Sequence, residues 1–214
     1  MAIHVLLADD HAVVRDGLRF LLEAQADITV VGDAANGRDA VRKVKELKPD
    51  VVIMDIAMPE LNGIEATHKI HETCPATRVL ILSMYSTTEH VRQALRAGAQ
   101  GYLLKKSAGA EVADAVRQLH SGGSYLSPDI AGTVITDYIA DSRATSPLET
   151  LTHRERQILQ LIAEGKSSGE AATSLYLSRK TIDTYRCRLM QKLGIHDLHG
   201  LMKFAIQHGL TSLD

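Results

Sequence analysis

The sequence predicts a doubly wound α/β domain built on a five-stranded parallel sheet, followed by a small all-α domain. Three observations lead there. Five short apolar runs alternate with helix-periodic segments over residues 1–120. Each run is rich in Val, Ile and Leu, as strands buried on both faces require. Residues 149–214 carry helix start and stop signals in succession and no strand-like run.

The strands are expected at Ile3–Ala8, Ile28–Asp33, Val51–Met54, Val79–Leu82 and Gly101–Leu104. Between them, Val14, Leu18, Leu21 and Leu22 recur at helix spacing. So do Ala40, Val44 and Leu47, then Val91, Ala94, Leu95 and Gly98, and finally Val112, Ala115, Val116 and Leu119. Five βα units with short connections fold as a parallel sheet with helices on both faces. Residues 121–148 open with Ser121-Gly122-Gly123-Ser124 and close with Asp141 to Pro147, which predicts an inter-domain linker. Ile130 to Ile139 is expected to be a short helix within it. In residues 149–214, Thr152 and Glu155 have capping-box spacing, and Ser167 and Glu170 repeat it. Ser178 is a good N-cap for a longer helix, Arg179 to Leu193, which Gly194 ends. A last helix holds Leu198, Leu201, Met202, Ala205 and Ile206. A short helix, a brief turn and a longer basic helix predict a helix-turn-helix.

Charge is unevenly spread. Residues 1–120 carry 14 − 16 = −2, residues 121–148 carry 1 − 3 = −2, and residues 149–214 carry 9 − 7 = +2. A globally basic nucleic-acid coat is excluded, but the C-terminal part is mildly basic. Cys74 and Cys187 lie in unlike contexts, with no CxxC or Cys/His metal spacing. No apolar run approaches the ~20 residues that span a bilayer. A cytoplasmic protein with reduced thiols and no membrane partner is expected.

The chemistry concentrates at strand ends. Asp9-Asp10 closes the first strand, Asp55 the third, and Ser83 and Lys105 follow the fourth and fifth. Ligands bind outside the carboxyl ends of the strands in such sheets. Crowded carboxylates repel one another unless a cation sits among them, and hard divalent ions prefer oxygen ligands. Asp10 and Asp55 are expected to ligate Mg²⁺ or Mn²⁺ directly, Asp9 through water, and the Ala57 carbonyl as a further oxygen. A carboxylate so placed can attack a phosphoryl donor. Asp55 is the expected phosphoacceptor, with the Ser83 hydroxyl and Lys105 ammonium binding phosphoryl oxygens. Taken singly, each is as well read as a turn residue or a solvated charge; five on one rim are not.

Asp9-Asp10, Asp55, Pro59, Gly63, Ser83 and Gly101-Tyr102-Leu103-Leu104-Lys105 resemble the receiver domain of bacterial two-component response regulators. Leu151 to Arg156, Lys180-Thr181-Ile182 and Lys192-Leu193-Gly194 resemble the LuxR-type DNA-binding domain. Together they are similar to the NarL/FixJ class of transcription factors. The resemblance implies a flavodoxin-like receiver over 1–120, a linker over 121–148 and a four-helix DNA-binding module over 149–214. It also implies a sensor histidine kinase as phosphoryl donor, homodimeric binding to promoter DNA, and RNA polymerase as a further partner. In receivers the hydroxyl at the Ser83 position swings toward the phosphate while the aromatic at the Tyr102 position packs inward. This chain departs from the family pattern at Lys106, where Pro is common. It departs again at Ser168-Gly169-Glu170-Ala171-Ala172, where Asn-Lys-Glu-Ile-Ala is usual, and at Asp183-Thr184-Tyr185, where Glu-Thr-His is common.

The DNA-reading candidates are Arg179, Lys180, Thr181, Asp183, Thr184, Cys187, Arg188 and Lys192. Lys and Arg would hold phosphates. Asp183 could accept from a cytosine amino group, and Thr184 and Cys187 could meet base edges or a thymine methyl. Dimerisation through the last helix, Leu198 to His208, would supply further affinity. Three rival readings remain at this point: a regulator that works without phosphate, a helix-turn-helix that serves protein contact, and an aspartate-nucleophile phosphatase. The phosphatase lacks its second Asp, because Ala57 stands there.

Overall fold

A computed structural model of the chain describes residues 2–132 and 147–211. The chain divides into two compact units, residues 1–142 and 143–214. In the first, β1 (Ile3–Ala8), β2 (Ile28–Ala34), β3 (Val51–Asp55), β4 (Arg78–Ser83) and β5 (Gly101–Leu104) alternate with α1 (Ala12–Glu23), α2 (Gly37–Leu47), α3 (Gly63–Thr73), α4 (Thr88–Arg96) and α5 (Ala108–His120). With a short sixth strand, β6 (Tyr125–Leu126), the strands pair in the order β2-β1-β3-β4-β5-β6, all parallel. Successive residues of a strand point to opposite faces. Val5, Leu7, Val51 and Ile53 therefore pack under α1 and α5, beside Leu18, Leu22, Val116 and Leu119. Leu6, Ala8, Val52 and Met54 pack on the other face against Ala40 and Val44 of α2, Ile70 of α3 and Val91 of α4. Chain order reverses beside β1, which pairs with both β2 and β3. That switch point opens a crevice at the strands' carboxyl ends.

The sheet has six strands, which corrects the expected five. The sixth, β6 (Tyr125–Leu126), pairs with Gly101 and Tyr102 along the outer edge of β5. Its flanks are tied down by Tyr125 N–H donating to the Gln100 carbonyl (3.1 Å) and Ser127 N–H to the Tyr102 carbonyl (3.0 Å). Two residues after a Gly-Gly turn carry no periodicity, so nothing local announces this strand. What makes it is the otherwise unpaired edge of β5. Residues 128–132 are helical and Ile130 is buried against the core. The rest of the helix expected over Ile130 to Ile139 lies outside the described residues.

The second unit holds α6 (His153–Ala163), α7 (Ser168–Leu175), α8 (Arg179–Leu193) and α9 (Leu198–Gln207). Both capping boxes form: Thr152 with Glu155 at α6, and Ser167 with Glu170 at α7. Ser178 caps α8 by accepting from Thr181 N–H, and Gly194 ends it in the left-handed conformation. Ile158, Leu159, Leu161, Ala171, Ile182, Leu189, Leu201 and Ala205 form the shared core. Between α7 and α8 the chain turns through Tyr176, which is held at φ 54° and is 95% exposed. Leu177 N–H closes the turn on the Ala172 carbonyl.

Candidate functional site

Register brings the strand-end residues together. Ala8 stands beside Met54, so Asp9 emerges level with Asp55. Asp55 pairs with Leu82, placing Ser83 one residue further out, and Ser83 pairs with Leu104, so Lys105 follows at once. Lys105 Nζ lies 2.8 Å from Asp9 Oδ2 and 3.1 Å from Asp55 Oδ2. Asp55 is 5% exposed and Asp9 only 1%. Asp55 Oδ1 accepts from the Ile56 N–H at 2.9 Å. The loop after it folds back through Gly63 N–H on the Ile56 carbonyl at 2.8 Å. Glycine is required there, since a Cβ on Gly63 would fall 1.8 Å from the Asp55 carbonyl oxygen. Ala57 sits half-buried in that loop.

Burial pushes the Asp55 carboxyl up to about 6; Lys105 pulls it down and Asp9 pushes it up again. Burial also works against the Lys105 ammonium, yet Asp55 and Asp9 outweigh it and hold Lys105 above its ordinary value. Ligand atoms of Asp9, Asp10, His11 and Asp55 all lie within 4.8 Å of one another. Asp9 Oδ2 and Asp10 Oδ1 are buried and accept no aligned hydrogen bond. Their close neighbours, Lys105 Nζ and His11 Nδ1 (2.7 Å from Asp10 Oδ1), make ion-pair contacts without that alignment. Buried carboxylate oxygens gathered this closely fit a hard divalent cation.

His11 was not anticipated from the sequence. Asp10 above all, offset by burial and helped by Asp9, raises its pKa. The signal was present as the run Asp-Asp-His straight after a strand, but a single exposed His is ordinary. Ser83 is fully buried, and its Oγ accepts from the Tyr85 N–H at 3.1 Å. Tyr102 is buried too, its hydroxyl donating to the Tyr85 carbonyl at 2.7 Å. Burial raises its pKa. Both residues therefore hold the start of the β4–α4 connection.

In the helical unit, Arg179, Lys180, Thr184, Cys187, Arg188 and Lys192 are exposed. Arg179, Lys180, Asp183, Thr184 and Cys187 line one open groove of about 540 Å³. Thr181 hydroxyl contacts Ser178 Oγ at 2.8 Å, within the cap. Thr184 Oγ1 donates to the Lys180 carbonyl at 2.9 Å. Lys192 Nζ lies 2.8 Å from Glu155 Oε2, which also accepts from Thr152 N–H. Burial raises the Glu155 pKa, but Lys192 and Thr152 outweigh it and leave it below the ordinary range. Asp183 Oδ1 accepts from Ser168 Oγ of α7 at 2.8 Å.

A parallel sheet with a buried carboxylate cluster and lysine at its rim, carried with a helix-turn-helix unit, defines a signal receiver with a DNA-binding output. Residues 5–117 match the response regulator receiver domain, and residues 149–205 match the luxR family of bacterial regulatory proteins. The chain is 39% identical to response regulator UvrY of Escherichia coli (strain K12), over 99% of this chain and 97% of that one. A solved structure of the Salmonella typhimurium RcsB response regulator aligns with TM-score 0.69 and 26% identity, covering 97% of this chain and 98% of that one. An RcsB–DNA complex aligns with TM-score 0.62 and 26% identity, covering 95% and 98%. The chain belongs to the NarL/FixJ class of two-component response regulators. It is a phosphorylatable transcription regulator with a LuxR-type DNA-binding domain. Among the described residues, no helix is long and apolar enough to cross a membrane.

Proposed function

We propose that Asp55 accepts a phosphoryl group from a sensor histidine kinase, and that the phosphorylated chain acts as a homodimer on promoter DNA in the cytoplasm. The observation that carries the reading is the Lys105 ammonium, 3.1 Å from Asp55 and 2.8 Å from Asp9. That cation stands where phosphoryl oxygens would arrive. One Asp55 carboxylate oxygen attacks phosphorus, and the P–N bond of the kinase phosphohistidine breaks. The imidazole leaves with the bonding pair and takes a proton, and Asp55 becomes an acyl phosphate. Lys105 then exchanges a carboxylate for the phosphoryl oxygens, and the Ser83 hydroxyl donates to another of them. Asp9, Asp10, Asp55 and the Ala57 carbonyl would hold Mg²⁺ or Mn²⁺, which when bound neutralises charge on the transferring group. Turnover beyond gain and loss of this phosphoryl group is not part of the reading.

Tyr102 links site to output. Its hydroxyl is tied to the Tyr85 carbonyl, and the Tyr85 N–H is tied to Ser83 Oγ. Drawing Ser83 to a phosphate breaks the second bond and frees the start of the β4–α4 connection to rearrange. Two copies paired through α9 would place two α8 helices on successive major grooves, with RNA polymerase recruited or excluded there. Support comes from the basic exposed face of α8 and from RcsB, which is seen bound to DNA.

The test compares the full chain with its Asp55→Asn variant, each with Mg²⁺ and acetyl phosphate. Wild type should dimerise and bind its operator more tightly in the presence of the donor, and the variant should respond to neither. Equal DNA affinity with and without donor in a demonstrably phosphorylated wild type would favour the phosphate-independent rival.

A further inference from the structure

Two departures from the family pattern meet in space. Ser168 stands at the first position of α7 and Asp183 in the second turn of α8, fifteen residues on, yet their side chains are joined at 2.8 Å. Arg186 Nη2 lies 3.7 Å from the same Asp183 oxygen. The Asp183 side chain is 42% exposed, and Lys180, Thr184 and Cys187 are exposed on the adjoining stripe. These three recur at i, i+4 and i+7, which makes one face of a helix. Asp183 lies at that face's edge, where it lines the same groove while its Oδ1 is held by Ser168 of α7.

We infer that Asp183 is a positioning residue, which locks α8 to α7 through Ser168, and that base reading falls to Lys180, Thr184 and Cys187. This rests on α8 being the recognition helix. A carboxylate carried into a groove faces phosphate repulsion, and it earns its place only by a bond to a cytosine amino group. Here Oδ1 is already bound to Ser168 of the neighbouring helix, so the carboxylate braces the angle between the two helices. Thr184 spends its hydroxyl proton on the Lys180 carbonyl. What remains to it is a methyl group and an acceptor oxygen. Cys187 adds a small, weakly polar thiol one turn on. Together they offer a shallow apolar step that suits thymine methyl groups, with the Lys180 ammonium suited to guanine O6 and N7.

The experiment selects from a random-sequence duplex library with the full chain at low salt, and reads affinity and base preference. Asp183→Ala and Ser168→Ala should each weaken binding to every recovered sequence about tenfold, with base preferences unchanged. The double variant should be no weaker than either single one, because both remove the same bond. Asp183→Asn still accepts from Ser168 and should keep most of the affinity, which separates lost positioning from lost folding. Thr184→Ser and Cys187→Ser should shift preference at one or two base pairs, and uracil in place of thymine there should weaken the wild type. Altered preference at one base pair in Asp183→Ala but not in Ser168→Ala would overturn the inference, as would unchanged affinity in both. If replacing Lys180, Thr184 and Cys187 together changes neither affinity nor preference, the recognition-helix reading fails instead.

Discussion

Replacing Asp55 with Asn should stabilise the receiver unit at neutral pH when no divalent cation is present. The carboxyl sits 5% exposed, and burial lifts its pKa from 3.8 to about 6 against the pull of Lys105. An acid whose folded value exceeds its unfolded value binds more protons folded than unfolded between the two. Its contribution is therefore present below the unfolded value and is lost as pH rises through the folded one. Taken from 3.8 to about 6 at about 1.36 kcal/mol per pH unit, the ionised side chain costs about 3 kcal/mol above pH 6. Asn imitates the neutral acid without a charge to desolvate. The gap between variant and wild type should open from near zero at about pH 4 to about 3 kcal/mol above pH 7. Urea unfolding in EDTA, followed on the receiver transition, measures it. Saturating Mg²⁺ should close the gap, because a ligand bound only by the folded wild type stabilises it by mass action. A gap that stays flat with pH, or an Asn variant less stable than wild type at neutral pH without metal, would show that the buried Asp55 charge carries no such cost.

Four further outcomes are expected. Gly63→Ala should destabilise the receiver by about 1–3 kcal/mol, measured by chemical unfolding, since its Cβ would meet the Asp55 carbonyl at 1.8 Å. Tyr102→Phe loses the bond to the Tyr85 carbonyl and should cost about 1 kcal/mol, with faster amide exchange in residues 84–88. Lys105→Met should slow phosphoryl uptake from acetyl phosphate at least tenfold, read by intact mass, while leaving the helical unit's unfolding unchanged. Leu189→Ala empties a fully buried site in the helical unit and should cost it about 2–5 kcal/mol, abolishing DNA binding but not phosphoryl uptake.

Much of the receiver was legible because its strands are buried on both faces. Apolar runs such as Val51–Met54 then carry their own boundaries, and the structure adds a residue at some ends, as at Asp55 and Ser83. The caps at Thr152, Ser167 and Ser178 were equally clear, because a capping box is a local hydrogen-bond pattern. The sixth strand was not legible. Tyr125 and Leu126 are strand only because β5 offers them an open edge, a tertiary cause with no sequence period. At the sheet's rim, the strand-end positions of the carboxylates and Lys105 alone predicted that they would lie close together. His11 was missed because its place beside Asp9 and Asp10 follows from the turn into α1, not from spacing. The Ser168–Asp183 bond was hidden for the same reason: the sequence offered Ser168 as a departure from the family pattern and Asp183 as a base reader, and only the packing of α7 on α8 joins them.

Asp55 is the proposed carrier of the phosphoryl group. That role is tested most directly by treating the full chain with acetyl phosphate and Mg²⁺, trapping acyl phosphate with borohydride and sequencing the peptides. Reduction should convert residue 55 alone to homoserine, and omission of the metal should suppress the conversion. Trapping at another carboxylate, or a phosphoryl adduct that survives in Asp55→Asn, would contradict it.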